Sequence, residues 1–131
     1  MDQGPEPASR APSMLSAAAA RELTRDFLTA HGTPPHTELG SLLLVVTELV
    51  TNAQRHAGGV TNFHLAASGD GITVTVGDRD PRAPVDASSP AWQPGGFGWP
   101  VILKLASQVE VTAAPPGKQI TATVPWPADP A

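Results

Sequence analysis

Glu48 and Asn52 lie four residues apart, a spacing that points both side chains the same way from a helix. A carboxamide oxygen is a hard ligand suited to Mg²⁺, and a carboxylate beside it can accept a proton or orient a nucleophile. Arg55 and His56 follow on the same side, where cationic or donor groups could meet phosphate. These residue types suggest a site for a magnesium–nucleotide complex.

A glycine-rich turn, Gly95-Gly96-Phe97-Gly98, follows later in the chain. It precedes the apolar residues Val101, Ile102 and Leu105, which predict a short helix. Glycines at the start of a helix leave backbone N–H groups free to bind phosphate oxygens. A plain flexible loop is the alternative, because a single glycine-rich stretch has low specificity.

Each of these features also has an ordinary structural explanation. Polar residues four apart often form only the solvated face of a helix, and His56 alone would suit the C-terminal end of its helix. Asn52, however, is a poor helix former without a capping role. Asp78 ends a predicted strand, where it is either a turn residue or a carboxylate that accepts a hydrogen bond from the exocyclic amine of adenine.

Composition excludes several classes of protein. The 131 residues predict one domain, and a net charge of −4 with only 8 Lys and Arg argues against a nucleic-acid or membrane surface. The chain has no cysteine, no apolar run of membrane-spanning length and no basic N-terminal leader. We therefore expect a soluble cytoplasmic protein.

Apolar periodicity predicts helices followed by antiparallel hairpins. A first helix is expected from about Ser16 to Ala30, and a second from the Thr33-Pro34 start to a stop at Gly58-Gly59. The apolar stripe of the second helix comprises Leu39, Leu42, Leu43, Val46, Leu49, Val50 and Ala53.

Alternating apolar residues (Phe63, Leu65 and Ala67, then Ile72, Val74 and Val76) predict a hairpin that turns at residues 68–71. A second hairpin is expected around Pro115-Pro116-Gly117. The predicted fold class is α+β, a two-layer sandwich with helices on one face of a mostly antiparallel sheet. Residues 1–13 are expected to be disordered, residues 14–125 to form the domain and residues 126–131 to be a tail. No strand is evident before the first helix.

The three segments occur in an order that resembles the GHKL (histidine kinase-like) ATPase superfamily: residues 48–57 on a helix, Asp78 closing a strand, and residues 95–98 before a helix. More narrowly, the chain looks like the anti-sigma-factor serine kinases, small ATP-binding proteins abundant in actinobacteria. The resemblance spans roughly residues 16–124, and residues 48–57 are its most specific part. It implies the ATP-binding sandwich of the Bergerat type.

The resemblance also implies roles for the individual residues. Glu48 would be the general base, and Asn52 would coordinate Mg²⁺. Asp78 would bind the adenine amine. Phosphates would meet the backbone of the loop at Gly96, Phe97 and Gly98, with Arg55 and His56 nearby. The implied cofactors are ATP and Mg²⁺.

The leading hypothesis from the sequence is a Mg-dependent serine kinase that phosphorylates or sequesters an anti-sigma antagonist, a sigma factor or both. The oligomeric state stays open, with a homodimer as a candidate. A non-catalytic interaction module of the same fold is the alternative. It is favoured by Asp78-Arg79-Asp80-Pro81-Arg82, which stands where this branch usually has Asp-x-Gly-x-Gly. A detached histidine kinase catalytic domain is weaker, because no phosphoacceptor helix precedes the fold.

Overall fold

The computed structural model of the chain describes residues 9–10, 15–31, 39–56, 59–81 and 98–125. Within these ranges the chain forms three helices and five strands. The helices are α1 (Ala17–Ala30), α2 (Leu39–His56) and α3 (Gly98–Leu105). The strands are β1 (Ser9–Arg10), β2 (Asn62–Ser68), β3 (Gly71–Asp78), β4 (Gln108–Ala114) and β5 (Gly117–Val124).

The strands form one sheet in the order β1-β2-β3-β5-β4, and every neighbouring pair is antiparallel. Helix α1 packs on β2, and α2 packs on β3 and β5, so the helices cover one face of the sheet. This arrangement confirms the predicted α+β fold of two layers. In the described part of the chain, no helix has both the length and the apolar character needed to cross a bilayer.

Helix α1 begins and ends where its sequence predicts. The Ser16 hydroxyl accepts a hydrogen bond from the Ala19 N–H (3.0 Å), as an N-cap does. At the other end the His31 N–H donates to the Phe27 carbonyl (3.1 Å). Ala20 and Phe27 are buried in the core on the face that meets the rest of the domain.

Helix α2 supplies the largest share of the helical core. The buried residues of its stripe are Leu42, Val46, Leu49, Val50 and Ala53. Val45 was missing from the predicted stripe, yet it is fully buried one turn before Leu49. After the helix, the Gly59 N–H donates to the Ala53 carbonyl (3.0 Å) at a φ of 111°, which suits glycine.

The apolar residues of β2, β3 and β5 alternate and face the helices, whereas β4, at the edge of the sheet, is mostly exposed. The helix-facing residues of β2, β3 and β5 form the floor of the core: Phe63, Leu65, Ile72, Val74, Val76, Ile120, Ala122 and Val124. Ala67, expected in this row, is exposed near the end of β2. On the opposite face the Thr75 and Thr121 hydroxyls lie 3.0 Å apart across the strands, as expected for a face open to water.

One element was not predicted. Strand β1 lies within residues 1–13 and pairs with β2, with Ser9 opposite His64. Two residues are too few to show strand periodicity, and only the pairing partner identifies them as a strand. The predicted Thr33-Pro34 helix start, the tail at residues 126–131 and residues 82–97 lie outside the described residues.

Candidate functional site

Helix α2 lies between the other two helices, and its two flanks carry different side chains. On one flank the Arg21 guanidinium donates to the Thr47 hydroxyl (3.0 Å), and the Gln54 amide donates to the Leu15 carbonyl (2.6 Å). These bonds attach α1 and the residue before its cap to α2. Glu48 lies on the other flank, where α3 packs.

The carboxylate of Glu48 lies against the first residue of α3. A Cβ atom added to Gly98 would be 2.5 Å from Glu48 Oε1, closer than real Cβ contacts allow. The next nearest atoms of Glu48, Cδ and Cβ, would be at 3.6 and 3.8 Å, which are ordinary contacts. Gly98 is buried, and because it has no side chain it leaves room for the Glu48 carboxylate.

Burial raises the pKa of Glu48 above its usual value of 4.5, because the charged form loses hydration. The Arg55 guanidinium, two turns along the same side of α2, opposes this shift and lowers the pKa in part. A raised pKa makes the carboxylate a better proton acceptor near neutral pH. Glu48 therefore has the environment of a general base.

Asn52 is half-buried one turn after Glu48. Its carboxamide makes no hydrogen bond to any residue in the described ranges, whereas the Gln54 carboxamide on the same helix is bound. Arg55 is exposed. His56 is the last residue of α2, and its side chain is not among those that the structure describes. The carboxamide of Asn52 is thus available to a ligand.

Asp78 ends β3 in a buried ion pair. Lys118 Nζ, on the neighbouring strand β5, lies 3.0 Å from Asp78 Oδ2 and 3.2 Å from Oδ1. The same ammonium donates to the Asp80 carbonyl (2.9 Å), and the Asp80 N–H donates to Asp78 Oδ1 (2.9 Å). The two side chains are only 1% (Asp78) and 6% (Lys118) exposed. The structure thus pairs the predicted adenine-binding carboxylate with a cation.

A cavity of about 420 Å³ opens at this end of the sheet. Asp78 and Lys118 line it together with Thr61, Arg79, Gln119 and the turn of the second hairpin. The turn contributes Ala114, Pro115 and Pro116, which form an apolar wall. Its size falls within the range of roughly 300–1,000 Å³ found for small-molecule pockets.

The predicted site residues therefore fall into two clusters. Glu48 meets Gly98 where α2 packs on α3, with Asn52 one turn and Arg55 two turns further along α2, and Asp78 lies with Lys118 at the end of β3. No hydrogen bond or ion pair between described residues joins the clusters. Gly96 and Phe97 lie outside those residues.

Lys118 was not predicted as a site residue. Its residue type gives no signal by itself, because a lysine in a hairpin is usually exposed. Its importance comes from the register of β3 and β5, which places Asp78 directly opposite Lys118. A prediction that these two strands are neighbours would have found the pair.

The two clusters would meet different parts of a magnesium nucleotide, the metal at Asn52 and a hydrogen-bond donor of the ligand at Asp78. Mg²⁺ is usually held by one or two protein oxygens together with phosphates and water, so the free Asn52 carboxamide fits this need. No group of three or more His, Cys, Asp or Glu able to hold a metal occurs among the described residues. At Asp78, two hydrogen bonds to Oδ1 and the ion-pair contact of Lys118 with Oδ2 occupy three of about four acceptor sites on the carboxylate and leave one on Oδ2 for a ligand donor.

Comparison with known proteins agrees with the sequence resemblance at the level of the domain. Residues 11–124 match the family described as histidine kinase-like ATPase domain. This match covers α1 to α3 and β2 to β5, including both clusters. A comparison with curated proteins gave no match.

Proposed function

The chain belongs to the histidine kinase-like ATPase domain family, and from this premise we propose that it is an ATP- and Mg²⁺-dependent protein serine kinase of the anti-sigma-factor type. Family membership implies that the domain binds ATP. The observation that carries the proposal is the position of Glu48. Its carboxylate has a raised pKa, rests against Gly98 and lies one turn from the free carboxamide of Asn52.

In this proposal Glu48 accepts the proton of a serine hydroxyl on a partner protein. The serine oxygen forms a bond to the γ-phosphorus while the bond to the β–γ bridging oxygen breaks, and ADP leaves with that electron pair. Asn52 would hold Mg²⁺, which when bound neutralises charge on the phosphate oxygens. Arg55, exposed beside Glu48, supplies a positive charge on the same side of α2.

The proposed partners are an anti-sigma antagonist that presents the serine, a sigma factor that the domain sequesters, or both. The net charge of −4 makes nucleic acid a poor partner, because binding it requires clustered cations. A homodimer would suit a regulator that exchanges partners. These partners are proposed because residues 48–57 resemble the corresponding segment of the anti-sigma-factor serine kinases.

Substitution of Asn52 tests the metal-binding role. Asn52→Ala should abolish Mg-dependent ATP binding measured by calorimetry, because no described side chain replaces the carboxamide oxygen. Glu48→Gln should keep binding and lose ATP turnover by about 10²-fold or more, the usual contribution of a general base. Asn62→Ala, which removes a half-buried carboxamide from β2, is the matched control and should bind ATP normally. Equal ATP binding with and without Asn52 would refute its assigned role.

A specific observation favours a second candidate function, a non-catalytic module that sequesters a regulatory protein. Asp78 is almost fully enclosed by Lys118 and by Asp80, which stands where the resembling branch has glycine. A carboxylate held in this way keeps only one acceptor site, on Oδ2, for a nucleotide base. Calorimetry of the wild-type chain with Mg-ATP separates the candidates, since the absence of binding would favour the module.

A further inference from the structure

The Asp78–Lys118 pair places a hydrogen-bond donor beside the acceptor expected to recognise adenine. An ammonium group has three N–H donors and no acceptor. Lys118 uses one donor on the Asp80 carbonyl and directs another between the two oxygens of Asp78. One N–H of Lys118 therefore remains, next to the one acceptor site left on Asp78 Oδ2.

Both groups line the cavity of about 420 Å³, so a ligand in that cavity meets the donor and the acceptor together. The wall formed by Ala114, Pro115 and Pro116 is apolar and suits the face of a flat ring. Thr61 and Gln119 supply further polar atoms at the edge of the cavity. The lining therefore fits a planar heterocycle that carries a donor and an acceptor side by side.

Both purine bases have such an edge, with the order reversed. Adenine has its amine, a donor, next to the acceptor N1, whereas guanine has its carbonyl O6, an acceptor, next to the donor N1–H. A carboxylate alone favours adenine because it repels O6. An ammonium beside it removes this repulsion, since Lys118 can donate to O6 while Asp78 accepts from N1–H.

We propose that Lys118 is a specificity-determining residue which lets this site accept guanine as well as adenine nucleotides. The inference rests on the proposed nucleotide-binding function, in which Asp78 meets the base. The donor and the acceptor are fixed relative to each other by the strand register, so the site offers both in every nucleotide-binding event.

Calorimetry of the wild-type chain with Mg-ATP and Mg-GTP tests the proposal. The two dissociation constants should lie within about tenfold, because each base satisfies one donor and one acceptor. A larger preference for ATP would overturn the inference and leave the proposed function intact. If neither nucleotide binds, the proposed function itself fails.

Lys118→Met should reduce GTP affinity at least about tenfold relative to ATP, because O6 then lies beside the carboxylate with no donor to offset the repulsion. Lys118→Arg, which keeps a cationic donor, is the matched control and should bind both nucleotides. An unchanged ratio of ATP to GTP affinity in folded Lys118→Met would show that Lys118 does not set base preference.

A different ligand tests the proposal on the wild-type chain, so that any effect of Lys118→Met on folding plays no part in the result. Inosine triphosphate keeps O6 and N1–H of guanine but lacks its 2-amino group, so it should bind the wild-type chain within about tenfold of GTP. Much weaker binding would mean that recognition does not depend on the O6 edge, and it would overturn the proposal.

Discussion

Replacement of Gly98 by alanine should displace the Glu48 carboxylate without destabilising the fold. The added Cβ would lie 2.5 Å from Glu48 Oε1, and ordinary contact begins at 3.4 Å, so this oxygen must move by about 0.9 Å. The displaced atom is the end of a flexible side chain, and the other nearest atoms already lie at acceptable distances. Alanine in a helix is also favoured over glycine by roughly 0.5–1 kcal/mol.

We therefore expect Gly98→Ala to keep or slightly raise the melting temperature while it impairs the chemistry. A displacement of about 1 Å in a catalytic group can lower the rate on the order of 10²-fold. ATP turnover should fall to that extent, and ATP binding should persist. NMR titration gives a second measurement: the carboxyl moves toward solvent, so the pKa of Glu48 should fall toward 4.5.

Gly69→Ala is the matched control, because a Cβ at Gly69 meets no atom within 4 Å. It should change neither turnover nor the pKa of Glu48. Normal turnover in Gly98→Ala, together with an unchanged pKa, would refute the conclusion that Gly98 positions this carboxylate. A large loss of stability would show instead that α3 cannot tolerate any side chain at its first residue.

Three further substitutions have defined outcomes. Glu48→Gln should gain stability relative to the wild type as the pH rises from 4 to 7 in denaturant unfolding. The raised pKa of Glu48 means that its contribution to stability is present below about 4.5 and is lost as the pH rises through the folded-state pKa. Gly117→Ala should cost at least about 1–3 kcal/mol in urea unfolding, because its Cβ would collide with the Asp78 backbone carbonyl. Ser16→Ala should lower the unfolding free energy by about 1 kcal/mol, measured in the same way, through loss of the α1 cap.

The sequence predicted the elements well where their signals are local. Ser16 is a capping residue followed by apolar positions at helical spacing, and the observed α1 begins directly after it. Alternation at Ile72, Val74 and Val76 likewise predicted the buried face of β3. Such periodicities depend only on the geometry of one helix or strand, so a single segment contains the information needed.

The sequence also predicted that the candidate site residues Glu48 and Asn52 lie on one side of α2. Glu48 and Asn52 share a side of the helix because they are four residues apart, and the structure leaves both half-buried. Their spacing could not reveal that α3 would cover Glu48 and raise its pKa. That effect requires Gly98, fifty residues later in the chain, to pack against the carboxylate.

What only the tertiary structure decided is the pairing of distant segments. Strand β1 becomes a strand through its contact with β2, and Lys118 becomes a partner of Asp78 through the register of β5 on β3. Hydrogen bonds between strands join residues that are far apart in sequence, and no local periodicity specifies which strands will be neighbours. The sequence therefore predicts which residues are candidates for chemistry, whereas the charges, contacts and cavity around them follow from the fold.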